Sequence, residues 1–154
     1  MSRETLINEI GEWLIDQALD RSDIVKTFDS VCNRLHAVGV PISRARLTWP
    51  TLHPLFQAET ILWKRDAEIE FEQFRHQDDD SEEWSRSPMA HMLDKGLSVI
   101  RRNLDGPNKI IDFPALEDLV EHGATDYLIM ATGFYGQDDQ TAVRANGILV
   151  TWAS

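Results

Sequence analysis

The sequence predicts an α+β domain built on a mostly antiparallel sheet of about six strands, with two long N-terminal helices on one face and short helices on the other. Three observations carry this expectation. Gly123-Ala-Thr-Asp-Tyr-Leu-Ile-Met130 and Asn146-Gly-Ile-Leu-Val-Thr-Trp152 have the length and character of strands. Two runs at the start carry apolar residues at three- and four-residue spacing, as amphipathic helices do. Between them, strand-like segments come in a block rather than alternating strictly with helices, which favours α+β over α/β.

Residues 3–20 read as the first helix. Leu6, Ile10, Trp13, Leu14 and Ala18 make its apolar side, while Glu4, Glu9, Glu12 and Asp16 lie elsewhere. Asp20-Arg-Ser22 breaks it, and Ser22 is the expected N-cap of a second helix over residues 23–38. Ile24, Val25, Phe28, Val31, Cys32 and Leu35 repeat the pattern there, and Gly39 and Pro41 stop it. Cys32 falls on the apolar face and reads as a small core residue.

Three strands are expected next. Arg44 to Trp49 alternates, with Ala45, Leu47 and Trp49 on one face and Arg44, Arg46 and Thr48 on the other. Thr51-Leu-His-Pro54 reads as a turn, since Pro54 cannot continue a ladder. Thr60–Arg65 and Ile69–Phe74 read as a hairpin joined at Asp66-Ala-Glu68, with Glu68, Glu70 and Glu72 marking the wet face of an edge strand. His76-Gln-Asp-Asp-Asp-Ser-Glu-Glu83 reads as a solvated loop. It offers oxygen ligands for Ca²⁺ or Mg²⁺ but lacks the order of an EF-hand loop, so no metal site is assigned to it.

Ser87-Pro88 opens a third helix that Gly96 closes, since serine caps and proline suits the first turn. Leu97–Leu104 is an expected strand ended by Gly106-Pro107, and Pro114 opens a fourth helix closed by Gly123. The strand from Tyr127 is apolar on both faces and is expected to be central, joined to the Asn146 run through a hairpin loop over Gly133–Gln140.

The 154 residues suit one domain, and 42% hydrophobic content is that of a folded chain. No apolar run is long enough for a membrane span or a signal peptide, and Cys32 stands alone, so a cytoplasmic protein is expected. Net charge is −11, which repels nucleic-acid phosphates and anionic lipid. The phosphate-loop, dinucleotide and nucleophile-elbow motifs are absent, and the histidines show no zinc spacing. No catalytic or metal-binding residue is therefore expected.

Ser43-Arg-Ala-Arg46, Thr51-Leu-His-Pro54, Ser87-Pro88, Arg101-Arg102, Asp112-Phe-Pro114 with Leu116, and Gly123-Ala-Thr-Asp-Tyr127 stand in an order that resembles the N-terminal region of certain bacterial class III adenylate/guanylate cyclases. The resemblance runs over roughly residues 9–152. It implies a GAF-like sensor domain that binds a small molecule or dimerises, followed in the same polypeptide by a cyclase catalytic domain. The last strand ends almost at Ser154, and the chain is expected to be a fragment of that longer protein. The metal-binding aspartates and the Asn/Arg pair of such cyclases have no counterpart here, so no catalytic residue carries over. Cys32 lies in an early helix, unlike the cysteine of bilin-attaching GAF relatives. No cofactor is expected; a small-molecule effector of unknown identity is.

If the long helices cover Ala45, Leu47 and Trp49, then Arg46 faces the other layer. A buried arginine needs an anionic partner, which Asp126 or a ligand would supply. The expected ligand site comprises Arg46, Trp63, His91, Arg101 and Tyr127. His91 has a blander alternative as a helix-surface residue. Leu6, Ile10, Trp13 and Leu14 are the expected interface of a homodimer, because Ile7 widens the apolar stripe beyond the needs of one neighbour. The alternative to sensing is a closed-pocket interaction module.

Overall fold

The Ser2 hydroxyl accepts a hydrogen bond from the Thr5 N–H at 3.2 Å and opens α1, Arg3–Leu19. This is seen in a computed structural model that describes residues 1–51, 55–75, 82–133 and 147–154. The second helix, α2, runs Ile24–Ala37. Its cap is Asp23, whose carboxylate accepts from the Lys26 N–H at 3.0 Å, and not Ser22. Ser22 instead donates to the Gln17 side chain, sealing the end of α1. Both residues are good caps, and the choice between them was made by one residue of helix phase.

The strands are β1 Arg44–Pro50, β2 Phe56–Lys64, β3 Glu70–Arg75, β4 Val99–Asn103, β5 Asp126–Gly133 and β6 Gly147–Ala153. They form one antiparallel open sheet in the order β3-β2-β1-β6-β5-β4. The short helices are α3 Glu82–Ser85, α4 Pro88–Lys95 and α5 Pro114–Glu121. With these the fold is α+β, with five helices among the described residues. The β2 strand begins four residues before the expected Thr60. Glu82 and Glu83 lie in α3, whereas the sequence suggested loop. The expected turn at 52–54, the charged run at 76–81 and the loop at 134–140 lie outside the described residues.

Alternation along β1 separates two cores. Ala45 and Leu47 pair with Trp63 and Ile61 and pack with Phe28 and Cys32 of α2. On the opposite face Tyr127, Ile129, Leu149 and Ala153 pack with Met92 of α4 and with Leu116 and Leu119 of α5. Ile61, Met92, Leu116 and Ile129 are among the largest side chains fully removed from water. Each contributes about 1.5–3 kcal/mol by burial.

The helix layer differs from expectation in one respect. α1 packs chiefly on α2 rather than beside it on the sheet. The coverage on that side is therefore narrow. Met130, on the α2 face of β5, is 38% exposed, so β5 is not buried on both faces as expected. The centre of the sheet is β1 and β6, with β5 next to the edge. β3 is an edge, as expected, but its wetter side is not the glutamate side. Phe71 is exposed, while Glu72 and Phe74 are partly buried.

β3 and β4 are opposite edges of the sheet, so the chain between them must cross it. α4 is capped at both ends within this crossing. Ser87 accepts from the Ala90 N–H at 3.1 Å, and Gly96 closes the helix in the left-handed region at φ 62°. This crossing, together with α5, roofs the second face. Among the described residues no helix is long and apolar enough to cross a membrane.

Candidate ligand pocket

Arg44, Arg46 and Thr48 point to the face opposite α2, because β1 alternates and α2 takes Ala45 and Leu47. On the same face Tyr127 comes from β5, and Thr151 and Ala153 come from β6. α4 and α5 do not meet the sheet everywhere. A hollow of about 630 Å³ remains, with Arg44, Arg46, Tyr127 and Thr151 on the sheet side. Pro88 and Met89 line it from α4, and Pro114, Asp118 and Leu119 from α5. Exposed Glu82, Glu83 and Arg86 stand at its rim.

The charges around this hollow are unevenly satisfied. Arg44 reaches Asp118 of α5 at 3.2 Å, tying β1 to the roof. Arg86 lies 3.5 Å from Glu82. Arg46 has no such partner: among the described residues no carboxylate stands within ion-pair distance of it. Burial lowers its proton affinity below the arginine norm, and the neighbouring Arg44 charge lowers it further. Glu72, Tyr127 and Glu70 act in the opposite sense. An arginine does not lose its proton at neutral pH, so the cost is carried as an under-compensated cation. Tyr127, 5% exposed, has its hydroxyl pushed up to about 12 by burial, with Thr151, Arg46 and Arg44 pulling the other way. It therefore remains a neutral hydrogen-bond donor.

Of the five residues expected at a ligand site, the structure brings together Arg46 and Tyr127. Trp63 is on the other face, 2% exposed in the core under α2, because it pairs with Ala45 and shares its side of the sheet. Arg101 also points to that other side, pairing with Leu128, and is 71% exposed. It holds Asp126 through two hydrogen bonds, so the carboxylate considered as a partner for Arg46 is taken. Its neighbour Arg102 faces the roof, bonded to Asp112 at 2.9 Å and lying over the Phe113 ring. His91 meets Phe113 edge-on at 5.5 Å and belongs to that cluster beside the hollow, not to its lining. Sequence reasoning missed Arg44 and Thr151, although alternation already put Arg44 beside Arg46. It also missed Asp118 and Leu119, whose role depends on where α5 docks.

The proposed interface set divides too. Ile10 is 8% exposed, and Leu6 and Trp13 are partly buried, with the Arg34 guanidinium 4.2 Å above the Trp13 ring. Leu14 is 40% exposed. Among the described residues no group of three or more His, Cys, Asp or Glu side chains could hold a metal ion. No protein-family model matches the chain, and no curated protein matches it.

Proposed function

We propose that this chain is a GAF-like sensor domain that regulates a bacterial class III nucleotide cyclase, with the catalytic domain following in the same polypeptide. The observation that carries the sensing role is the hollow of about 630 Å³ with an under-compensated arginine in its floor. That volume is in the range of small-molecule sites. Six antiparallel strands with α2 on one face and short helices on the other are compatible with the GAF-like fold that the cyclase resemblance implies. The cyclase connection itself rests on that resemblance.

A ligand in the hollow touches β1, β5, β6, α4 and α5 at once. Its binding would bias how the two short helices sit on the sheet, and such a bias is all that regulation requires. The domain itself makes and breaks no bond in this reading. It acts as a homodimer in the cytoplasm, holding two catalytic domains in register.

A second reading, a dimerisation module without a ligand, is favoured by one observation. Ile7, Leu14, Ile15 and Leu19 of α1 are all exposed. A metabolite screen by thermal shift, run beside an assay of ATP and GTP turnover with Mg²⁺ or Mn²⁺, separates the possibilities. The sensor reading expects stabilising ligands and no cyclic nucleotide. A screen with no stabilising compound favours the second reading. Cyclic-nucleotide formation that a substitution in this chain abolishes would overturn both.

A further inference from the structure

The floor and the walls of the hollow differ in chemistry, and the difference selects a ligand. The floor offers Arg46, a guanidinium without an ion-pair partner among the described residues, together with the neutral Tyr127 hydroxyl. The second floor cation, Arg44, is already committed to Asp118. The walls contributed by Pro88, Met89 and Leu119 are apolar, and a proline has no N–H to give. We infer that the pocket takes an organic monocarboxylate with an apolar body, its carboxylate against Arg46 and Tyr127 and its body under α4 and α5. This inference rests on the sensor reading of the hollow and specifies its ligand class.

Three considerations lead to this class. A planar guanidinium matches a carboxylate with two parallel hydrogen bonds, and a phenol adds a third. Among the described residues of the lining, Arg46 is a single cation without an ion pair, and it balances one negative charge. A phosphomonoester brings nearly two, and it would pass Glu82 and Glu83 at the rim of a chain whose net charge is −11. A nucleotide brings ribose hydroxyls and base edges, which cost free energy where they meet Pro88, Met89 and Leu119, side chains that offer no hydrogen-bond partner. An apolar body loses nothing there.

Arg46 also gives an acid an advantage that its amide lacks. Its charge is held at a cost by burial and by Arg44. A bound carboxylate offsets part of that cost, and a neutral isostere does not. The preference for acid over amide should therefore reside in this one side chain.

The test titrates the purified chain with hexanoate and phenylacetate, and in parallel with hexanamide, phenylacetamide and cAMP. Calorimetry gives affinities, and the Met89 methyl NMR signal reports occupancy of the hollow. Each acid is expected to bind about tenfold or more tighter than its amide, the worth of a charge-assisted hydrogen-bonded pair. Arg46→Met should erase that ratio, whereas Arg101→Met, on the far side of the sheet, should leave it intact. Arg46→Lys keeps the charge without the fork and should retain part of the ratio, which keeps the test usable if Arg46→Met does not fold. Equal binding of acid and amide with a shifted Met89 signal overturns the carboxylate inference and leaves the sensor pocket standing. Binding of cAMP that depends on Arg46 and exceeds that of the acids overturns it as well. No Met89 shift with any compound removes the pocket and the inference together.

Discussion

A single side chain can carry more charge cost or less than its sequence context suggests, and Cys32 and Arg46 show both signs of this. Cys32 is fully buried, and burial, aided by the Asp29 charge, pushes its thiol from 9.0 up to about 12. The thiolate is the reactive form, so the native cysteine should be inert. Labelling with a thiol reagent at pH 8 is expected to be at least about a thousandfold slower in the native state than in urea, the ratio set by global opening. Rapid labelling of the native protein would show that α2 opens locally. The raised value also has a pH consequence. The folded state keeps its proton where the unfolded chain loses it, so this contribution is complete below pH 9.0 and declines as pH rises towards 12. Arg46 shifts in the other direction, but it stays protonated throughout the range in which the protein is handled. Its cost is thus independent of pH, and only an anion relieves it. The apolar periodicity of α2 already placed Cys32 in the core. That Arg46 has no ion-pair partner among the described residues was not legible, because the sequence offered Asp126 and could not say that Arg101 would take it.

At the scale of elements, reading succeeded where one residue type fixes one geometry. Ser87-Pro88 and Gly96 bound α4 as expected, and Gly123 ends the α5 turn at φ 86°. It failed where two neighbours compete and only register decides. Alternation says that Arg101 and Arg102 point to opposite sides, but not which side is which. That depends on how β4 pairs with β5, and a one-residue shift exchanges them. Trp63 was misplaced for the same reason. The observed register gives Arg102 a structural duty. It holds Asp112 in three hydrogen bonds and thereby fastens the segment after β4, up to Phe113 at the start of α5, against the sheet. The Arg102 hydrogen bonds pull the Asp112 carboxyl below its usual 3.8, while partial burial opposes them. A lowered carboxylate contributes stability above its unfolded value and loses it as pH falls through the folded one. Asp112 is 41% exposed, so solvent screening limits the effect. Asp112→Asn is expected to cost about 0.5–1 kcal/mol at pH 7 in urea unfolding. The gap between wild type and variant should narrow steadily below pH 3.8. A gap that persists undiminished at pH 2 would mean that shape, not charge, holds the segment.

For the whole molecule the open question is what covers α1, and the fold narrows it. The expected interface mixed two sides of that helix: Ile10 and Trp13 serve the α2 contact, while Leu14 looks outward. Ile7, Gly11, Leu14 and Ala18 are all exposed at spacings of four, three and four, the rhythm of a helix–helix seam. Gly11 is the informative member. A methyl group added there meets nothing within 4 Å inside the subunit. Glycine in a helix interior costs about 0.5–1 kcal/mol relative to alanine, so an isolated chain would be better served by alanine. If a second copy pairs along this seam, Gly11 is where the two backbones come close. Light scattering at micromolar concentration is expected to give twice 17.6 kDa for the wild type. Leu14→Glu should give a folded monomer, since Leu14 lies outside both cores. Gly11→Ala then decides the geometry. It should raise the melting temperature of the Leu14→Glu monomer through helix propensity, yet weaken the dimer when introduced alone. A wild type of 17.6 kDa, or a Gly11→Ala variant that strengthens the dimer, would place the interface elsewhere and leave the exposed seam without a second copy to cover it.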